Sequence, residues 1–453
     1  MKGRSRARIS QCMIVKNEER NIEHALSWGK GIVSEQIVVD TGSTDRTVEI
    51  AEQMGAKIYH FEWIDDFAAA KNFAISKAKY EWIAFLDADE YFSEEDARKV
   101  LYYVRQLQDK RYDAILSSWV HLMDDGTISA VGTQSRVFRN SRGVRYVGRI
   151  HEYITSVDGS DFRFVDAVNE LSIYHTGYGK ALHDGKVSSG RNLKIILKEL
   201  EEHPDSHRML GYLGDEYYSA ENLEKAEEAF RKSISLMPDT VETIDPIRTA
   251  MTFTKLMEIL YANIETTEEN FMEIYNKAIL RLPQEGDFDF YAGKYFSRHG
   301  NYRKAEKHLK RALAQLEKYG TAFKSMFLSG DIRQAYEMLA TCCFNNVNLA
   351  ECINYSTVLL KADRYLMSTL FLMLTAFSFD ERSGRKEAAS ALAVATFLGQ
   401  NLYDFSTLKD RLFVLKAAMK ANYGSMVAVL REMFRPEELV IVDQALAGEH
   451  KEN

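Results

Sequence analysis

Four short apolar runs open the chain, each followed by a polar break or an amphipathic stretch. Ile9–Val15 is the first, and Lys16, Asn17, Glu18 and Glu19 interrupt it. Residues 21–28 then read as a helix, with Ile22, Ala25 and Leu26 on one face. A second strand, 36–39, ends at Asp40, and Thr41, Gly42, Ser43, Thr44 and Asp45 form a turn. Ser43 or Thr44 is expected to cap the helix that follows, Thr47–Gln53, and Gly55 to stop it. Residues 57–61 are a third strand, 67–78 a helix and 82–86 a fourth strand. Strand, helix and strand at this spacing predict right-handed crossovers and a parallel sheet. Further on the pattern turns to short β, with 114–120, 136–138 and Val144–Val147 as strand candidates.

After about residue 190 the strand-like alternation stops and long amphipathic helices take over. Leu210, Leu213, Gly214, Tyr217, Ala226, Phe230 and Pro238 match the tetratricopeptide pattern in register, and Ala292, Gly293, Phe296, Ala305, Leu309 and Ala312 match it again. Gly214 and Ala226 let two helices approach closely, while Tyr217 and Phe230 fill the space between them. The two sets are not separated by a whole number of repeats of about 34 residues, so an irregular helical pair or a long loop is expected around 239–287. Residues 336–360 and 370–400 are weaker candidates, and 396–399 with 412–419 are expected to close the array.

Composition narrows the class. A chain of 453 residues exceeds one ordinary core. Hydrophobic residues make up 46% and charged ones 27%, the balance of a soluble globular protein. The net charge of −8 argues against a general nucleic-acid binder. Cys12, Cys342, Cys343 and Cys352 form no Cys-x-x-Cys pair, which points to reduced thiols and a cytoplasmic location. No stretch approaches the roughly 20 apolar residues of a membrane span. The basic start (Lys2, Arg4, Arg6, Arg8) leads into no signal-peptide core and is expected to be a solvated terminus.

Two strand ends carry the chemistry. Residues 82–86 run straight into Asp87 and Asp89, a buried strand with an acidic tip. Ligands of open α/β sheets sit at the carboxyl ends of their strands, and two hard oxygen ligands there suit Mg2+ or Mn2+ carrying a diphosphate. Asp40 and its turn can hold a nucleoside, the carboxylate accepting from a base or ribose and the N–H groups of the helix start facing polar oxygens. A plain capped turn reads the same way. The absence of Gly-x-Gly-x-x-Gly disfavours a dinucleotide dehydrogenase. On the residues alone, His151 beside Glu152, and His175, are either catalytic or ordinary strand-end histidines.

Four pieces occur in one order and spacing: Met13-Ile14-Val15-Lys16-Asn17-Glu18-Glu19, Val38-Val39-Asp40-Thr41-Gly42-Ser43-Thr44-Asp45, Asp66-Phe67-Ala68-Ala69-Ala70-Lys71-Asn72 and Phe85-Leu86-Asp87-Ala88-Asp89-Glu90. Arg136-Val137-Phe138-Arg139, residues 148–152 and Tyr174-His175-Thr176-Gly177-Tyr178 follow. Over about residues 8–200 this set resembles the inverting family-2 glycosyltransferases of the GT-A fold. The branch in question holds lipopolysaccharide-core glucosyltransferases and sublancin-type peptide S-glycosyltransferases. The resemblance implies a Rossmann-like, mostly parallel α/β GT-A domain over 1–195 and, with the helical pattern, an all-α tetratricopeptide-like solenoid over 196–453.

It also implies inverting transfer of a sugar, glucose or GlcNAc, from a UDP-sugar with Mg2+ or Mn2+. A cation offsets charge on the leaving diphosphate, and inversion needs a base on the opposite face. By resemblance Asp40 sits at the uridine, with Val15, Asn17, Glu18 and Ser43 near the nucleotide. Lys71 and Asn72 face the diphosphate or sugar, Asp87 and Ala88 belong to the Asp-x-Asp, and Asp89 binds the metal. His175 completes the metal shell, with His151 as the lesser choice or as a group orienting Glu152. Glu152 is the expected base, with Asp124, Asp125 and Glu90 as the other carboxylates open to that role. The expected acceptor is a Ser, Thr or Cys side chain of a peptide or protein held by the helical repeats. A lipopolysaccharide-core or lipid-linked glycan is the second reading, and a decayed repeat scaffold the third. A homodimer is compatible with solenoid ends that pair.

Overall fold

The four opening apolar runs become parallel strands whose carboxyl ends reach one edge of a sheet. The computed structural model describes residues 8–141, 143–158, 160–176, 190–242, 245–320, 324–385, 387–440 and 442. Lys2, Arg4, Arg6, Gly177 and Tyr178 lie outside them. The chain divides into two units, Met1–Met237 and Pro238–Asn453.

The first unit begins β1 Ile9–Val15, α1 Ile22–Ser27, β2 Glu35–Asp40, α2 Thr47–Gln53, β3 Lys57–His60, α3 Phe67–Lys77 and β4 Trp82–Phe85. These strands run parallel in the order β3-β2-β1-β4, with Val15 beside Asp40 and Cys12 beside Phe85. The continuous apolar run of β4 has a direct cause, for both of its faces are covered. Trp82, Ala84 and Leu86 pack with Trp28, Val100 and Val104, while Ile83 and Phe85 pack with Cys12, Val39 and Ala74.

The remaining elements of the sheet region are β5 Glu90–Tyr91, α4 Glu94–Leu107, β6 Ala114–Leu122, β7 Ile128–Arg139, β8 Val144–Val147, β9 Tyr153–Ser156, β10 Phe164–Asp166 and β11 Ser172–His175. Strand β7 runs antiparallel to both β4 and β6, β11 is parallel to β6, and β5 is antiparallel to β11. The sheet is therefore mixed, parallel from β3 to β4 and of both senses beyond β4. The short strand expected at 136–138 is the end of the long β7. Its first third, residues 128–131, is exposed, so burial imposes no inward-facing apolar alternation there.

The cap of α2 differs from expectation. Asp45 Oδ1, rather than Ser43 or Thr44, accepts the N–H of Thr47 at 3.0 Å. Ser43 and Thr44 are engaged by Asn17 instead.

Helices α5 Arg191–Glu202, α6 His207–Ser219 and α7 Leu223–Leu236 complete the first unit. Helix α6 lies so close to α7 that a Cβ on Gly214 would fall 2.3 Å from the Phe230 ring. The second unit is built from α8 Pro246–Ala262, α9 Glu268–Arg281, α10 Gly286–Arg298, α11 Tyr302–Tyr319, α12 Met326–Gly330, α13 Ile332–Asn345, α14 Leu349–Ala362, α15 Met367–Arg382, α16 Ala391–Asn401, α17 Leu408–Lys420 and α18 Gly424–Arg431. The expected irregular pair around 239–287 is the hairpin α8–α9. Gly293 repeats the device of Gly214, since a Cβ there would meet Leu309 at 2.6 Å. The candidate at 336–360 is the hairpin α13–α14; helices α15 and α16 cover the candidate at 370–400 and share one apolar cluster, and α18 continues past the expected end. The helical half is a tetratricopeptide-like array. All four cysteines are buried and unbonded. No helix among the described residues is long and apolar enough to cross a membrane.

One buried acidic pair sits inside the second unit. Asp287, in the first turn of α10, accepts the N–H groups of Phe327 and Leu328 at 3.1 and 2.8 Å and so pins α12. Glu285 accepts the N–H of Ser325. Burial, then the charge of Asp287, pushes Glu285 up to about 7, and burial pushes Asp287 up to about 6.

Two outcomes are expected. Gly214→Ala overpacks the α6–α7 contact and should destabilise by about 1–3 kcal/mol, measured by urea unfolding. The buried acids bind more protons in the fold than in the unfolded chain, so their contribution is fully present below about pH 4, the ordinary carboxylate range, and is lost as pH rises toward 7. Glu285→Gln should shrink the fall in melting temperature between pH 5 and pH 8. An undiminished fall would contradict this account.

Candidate active site

At the β1 and β2 end of the sheet edge, two loops lock together. Asn17 follows β1 in a left-handed conformation, φ 58°, which Asn tolerates better than most residues. There its N–H donates to Ser43 Oγ at 2.9 Å and its Oδ1 accepts from the Thr44 N–H at 2.8 Å. The N–H of Glu18 donates to Thr47 Oγ1 at 2.7 Å, and its carboxylate accepts from Asn21 at 2.8 Å. Val15 is buried, and its carbonyl accepts from the N–H of Thr41 at 2.9 Å.

Asp40 ends β2 almost buried, accepting the N–H groups of Gly42 at 3.2 Å and Ser43 at 3.0 Å. His60 lies 3.5 Å away. Burial pushes Asp40 toward protonation, but the hydrogen bonds from Ser43, Gly42 and His60 outweigh it and hold the carboxyl below its usual range. A carboxylate has about four lone-pair sites, so further donors can still be accepted.

The acidic tip of β4 centres on Lys71, which α3 delivers into the interior with only 2% of its surface exposed. Its ammonium lies 3.0 Å from Asp87 Oδ1 and 2.8 Å from Glu152 Oε1. The rings of Phe85 and Tyr146 flank it at 5.2 and 5.1 Å. Burial works against the charge, but Asp87 and Glu152 raise the Lys71 pKa above its ordinary value. On the other side Arg136 reaches Asp87 Oδ2 at 2.7 Å and Glu90 Oε1 at 2.6 Å. Burial favours protonated Asp87, yet Arg136 and Lys71 hold it well below the carboxylate range.

Asp89 faces the other way. Its Oδ2 is 3.3 Å from His175 Nε2, and its carbonyl accepts the N–H of Thr176 at 2.9 Å, which ties it to the end of β11. His175 Nδ1 meets His121 Nδ1 at 3.2 Å. Burial, then His175, pushes His121 down to about 4. A metal-ligating histidine needs its second nitrogen held, and His121 does this for His175. A carboxylate oxygen beside an imidazole nitrogen fits a divalent cation such as Mn2+, so Asp89 and His175 are the pair suited to hold one. Ala88 packs beneath with Val15 and Ile22.

Some expectations change. Asn72 does not face an open cleft, because its amide donates to the Tyr146 carbonyl at 2.9 Å and accepts the Tyr146 N–H at 3.0 Å, which fixes β8 on α3. Lys71 likewise is a buried bridge between carboxylates rather than an exposed phosphate ligand. Glu90 is 1% exposed and also accepts the Asp87 N–H at 3.0 Å, so it braces the motif and has no path to an acceptor. Asp124 and Asp125 lie in the exposed β6–β7 turn, where Asp125 accepts from Thr127. The ring of His151 stacks on Tyr212 with centroids 3.6 Å apart, away from a metal role.

His121 and the double role of Arg136 escaped the sequence reading. Strand alternation places Trp119 and His121 on one face of β6, and the register sets His121 beside His175. Only the pairing of β6 with the distant β11 reveals the second histidine.

Residues 10–160 match the model of glycosyl transferase family 2. The glycosyltransferase SunS of Bacillus phage SPbeta is 31% identical over 226 residues, 49% of this chain and 52% of SunS. A TPR repeat-containing protein of Synechococcus elongatus is 30% identical over 240 residues, 51% of this chain and 58% of that protein. An uncharacterized glycosyltransferase of Rickettsia felis is 42% identical over 105 residues, 23% of this chain and 37% of its own length. The chain thus spans about half the length of the first two relatives.

Removing Arg136 leaves Glu90 and Asp87 without their shared cation. Arg136→Ala should destabilise by about 3–5 kcal/mol, the cost of breaking a buried pair. Adding Glu90→Gln should recover part of the loss in the same urea titration. Equal stability of the two variants would show that the pair is not what Arg136 supports.

Proposed function

We propose, from the match of residues 10–160 to the model of glycosyl transferase family 2, that the chain is an inverting, metal-dependent glycosyltransferase. It moves glucose or GlcNAc from a UDP-sugar to a Ser, Thr or Cys side chain of a peptide or protein, with the helical repeats holding that acceptor. The observation that carries the reading is the link between its two halves of chemistry. Glu152, the proposed base, is joined through Lys71 to Asp87 of the same Asp-x-Asp whose second carboxylate meets His175.

Asp40, with its carboxylate held ionised, accepts from the uracil or ribose, and Asn17, Glu18 and Ser43 keep that loop in place. Asp89 and His175 hold the cation, which when bound offsets the charge on the leaving diphosphate. Glu152 takes the proton of the acceptor hydroxyl or thiol as it attacks the anomeric carbon opposite the diphosphate. Lys71 holds that carboxylate in place, which limits the orientations it can sample. The TPR repeat-containing relative and the concave surface that such arrays present support a peptide acceptor.

The test is incubation with UDP-glucose or UDP-GlcNAc, Mn2+ and Cys-, Ser- or Thr-containing peptides, reading UDP release and peptide mass. Asp89→Ala should lower turnover about 100-fold or more, the scale of a lost electrostatic stabiliser. Glu152→Gln should lower kcat by about 10²- to 10⁴-fold with UDP affinity little changed. No UDP release with any acceptor, and no UDP binding by calorimetry, would sink the proposal. Transfer to a glycan but to no peptide would move the acceptor to the second reading.

A further inference from the structure

The loop that carries Glu152 is gripped by the helices that follow the sheet. Gly148 at φ 94° and His151 at φ 51° are both left-handed, so the chain reverses sharply over four residues. For a non-glycine residue that conformation costs about 1–3 kcal/mol and persists only when its surroundings impose it. Arg149, Ile150 and His151 each have such a hold. The Arg149 carbonyl accepts the N–H of Phe67 at 2.8 Å, and its guanidinium pairs with Glu199 at 3.2 Å and Glu202 at 2.6 Å on α5. Ile150 is buried among Ile195, Ile196, Met209 and Leu210. The His151 ring lies flat on Tyr212 of α6, 3.6 Å between centroids and 7° between planes. Arg208, one turn earlier on α6, donates to the His151 carbonyl at 3.2 Å.

We propose that Tyr212 is a positioning residue for Glu152. Its ring fixes His151, and His151 sets the turn that aims the next carboxylate at Lys71. The first two helices after the sheet are thereby part of the catalytic apparatus, in addition to anything the array does with an acceptor. This rests on the reading of Glu152 as the base. A stack is suited to the task because a flat, half-buried contact resists rotation of the imidazole, and a displacement of about 1 Å at a catalytic group can cost roughly 100-fold in rate.

The test uses the full chain. Tyr212→Ala should lower kcat for UDP release about 10- to 100-fold, leaving KM for the UDP-sugar and UDP affinity little changed. Backbone amides of 148–153 should exchange faster with deuterium, while those of β1 and β4 stay protected. Tyr212→Phe, which keeps the stacked face, should restore both readouts. His151→Ala should reproduce the loss, and the double variant should be no worse than either single one, as for two residues acting through one contact. Wild-type kcat in Tyr212→Ala, or unchanged exchange at 148–153, overturns the proposal. If instead Glu152→Gln keeps full turnover, the reading of Glu152 as base has failed, whatever Tyr212→Ala does.

Discussion

A single buried ammonium organises this site. Lys71 comes from α3, Asp87 from the tip of β4 and Glu152 from the loop after β8, and each of the three would be costly to bury without the others. Replacing such a network with apolar side chains often stabilises a fold, so stability alone does not explain its presence. Its effect is to fix the relative positions of two carboxylates that lie far apart in sequence. Arg136 extends the same logic to Glu90, whose second oxygen takes the Asp87 N–H. The motif Asp87-Ala88-Asp89 is thereby clamped from both sides, and Asp89 is presented to His175 by a rigid backbone.

The β1–β2 side, where the nucleoside is proposed to sit, obeys a different rule. It contains few compensated charges and many backbone N–H groups aimed at oxygen acceptors. Asn17, Ser43, Thr44, Asp45 and Glu19 bridge the β1 and β2 loops, which lets two loops at a sheet edge behave as one surface. Parallel register brings this about. Val15 sits beside Asp40, so residues that follow each strand emerge as neighbours, as expected at the carboxyl edge of an α/β sheet.

Much of this was legible in the chain because it is local. The four parallel strands follow from apolar runs, the close helix pairs from Gly214 and Gly293, and the acidic tip from its position after Trp82–Phe85. What escaped depends on pairing between distant segments. His121 matters only because β6 lies beside β11. Lys71 and Asn72, four and five residues past the start of α3, read as groups facing a diphosphate or sugar until β8 and the Glu152 loop are seen to close over them. The cap of α2 failed for the same reason, since Ser43 and Thr44 are committed to Asn17 on the distant β1 loop.

The shift in composition near residue 190 marks a change of secondary structure, whereas packing carries on further. The first unit runs to Met237 and includes α5, α6 and α7. Their apolar faces cover Ile150, and their charged faces hold Arg149. An edge loop with two left-handed residues has little intrinsic preference for the shape it adopts, and nothing in β8 or β9 would impose that shape. A helical hairpin docked on it supplies rigidity that the sheet cannot. Helices built on the tetratricopeptide pattern ordinarily stack on their own kind. Here the first of them turn one face to the loop that carries the proposed base, so the repeat architecture contributes to the site before any acceptor is considered.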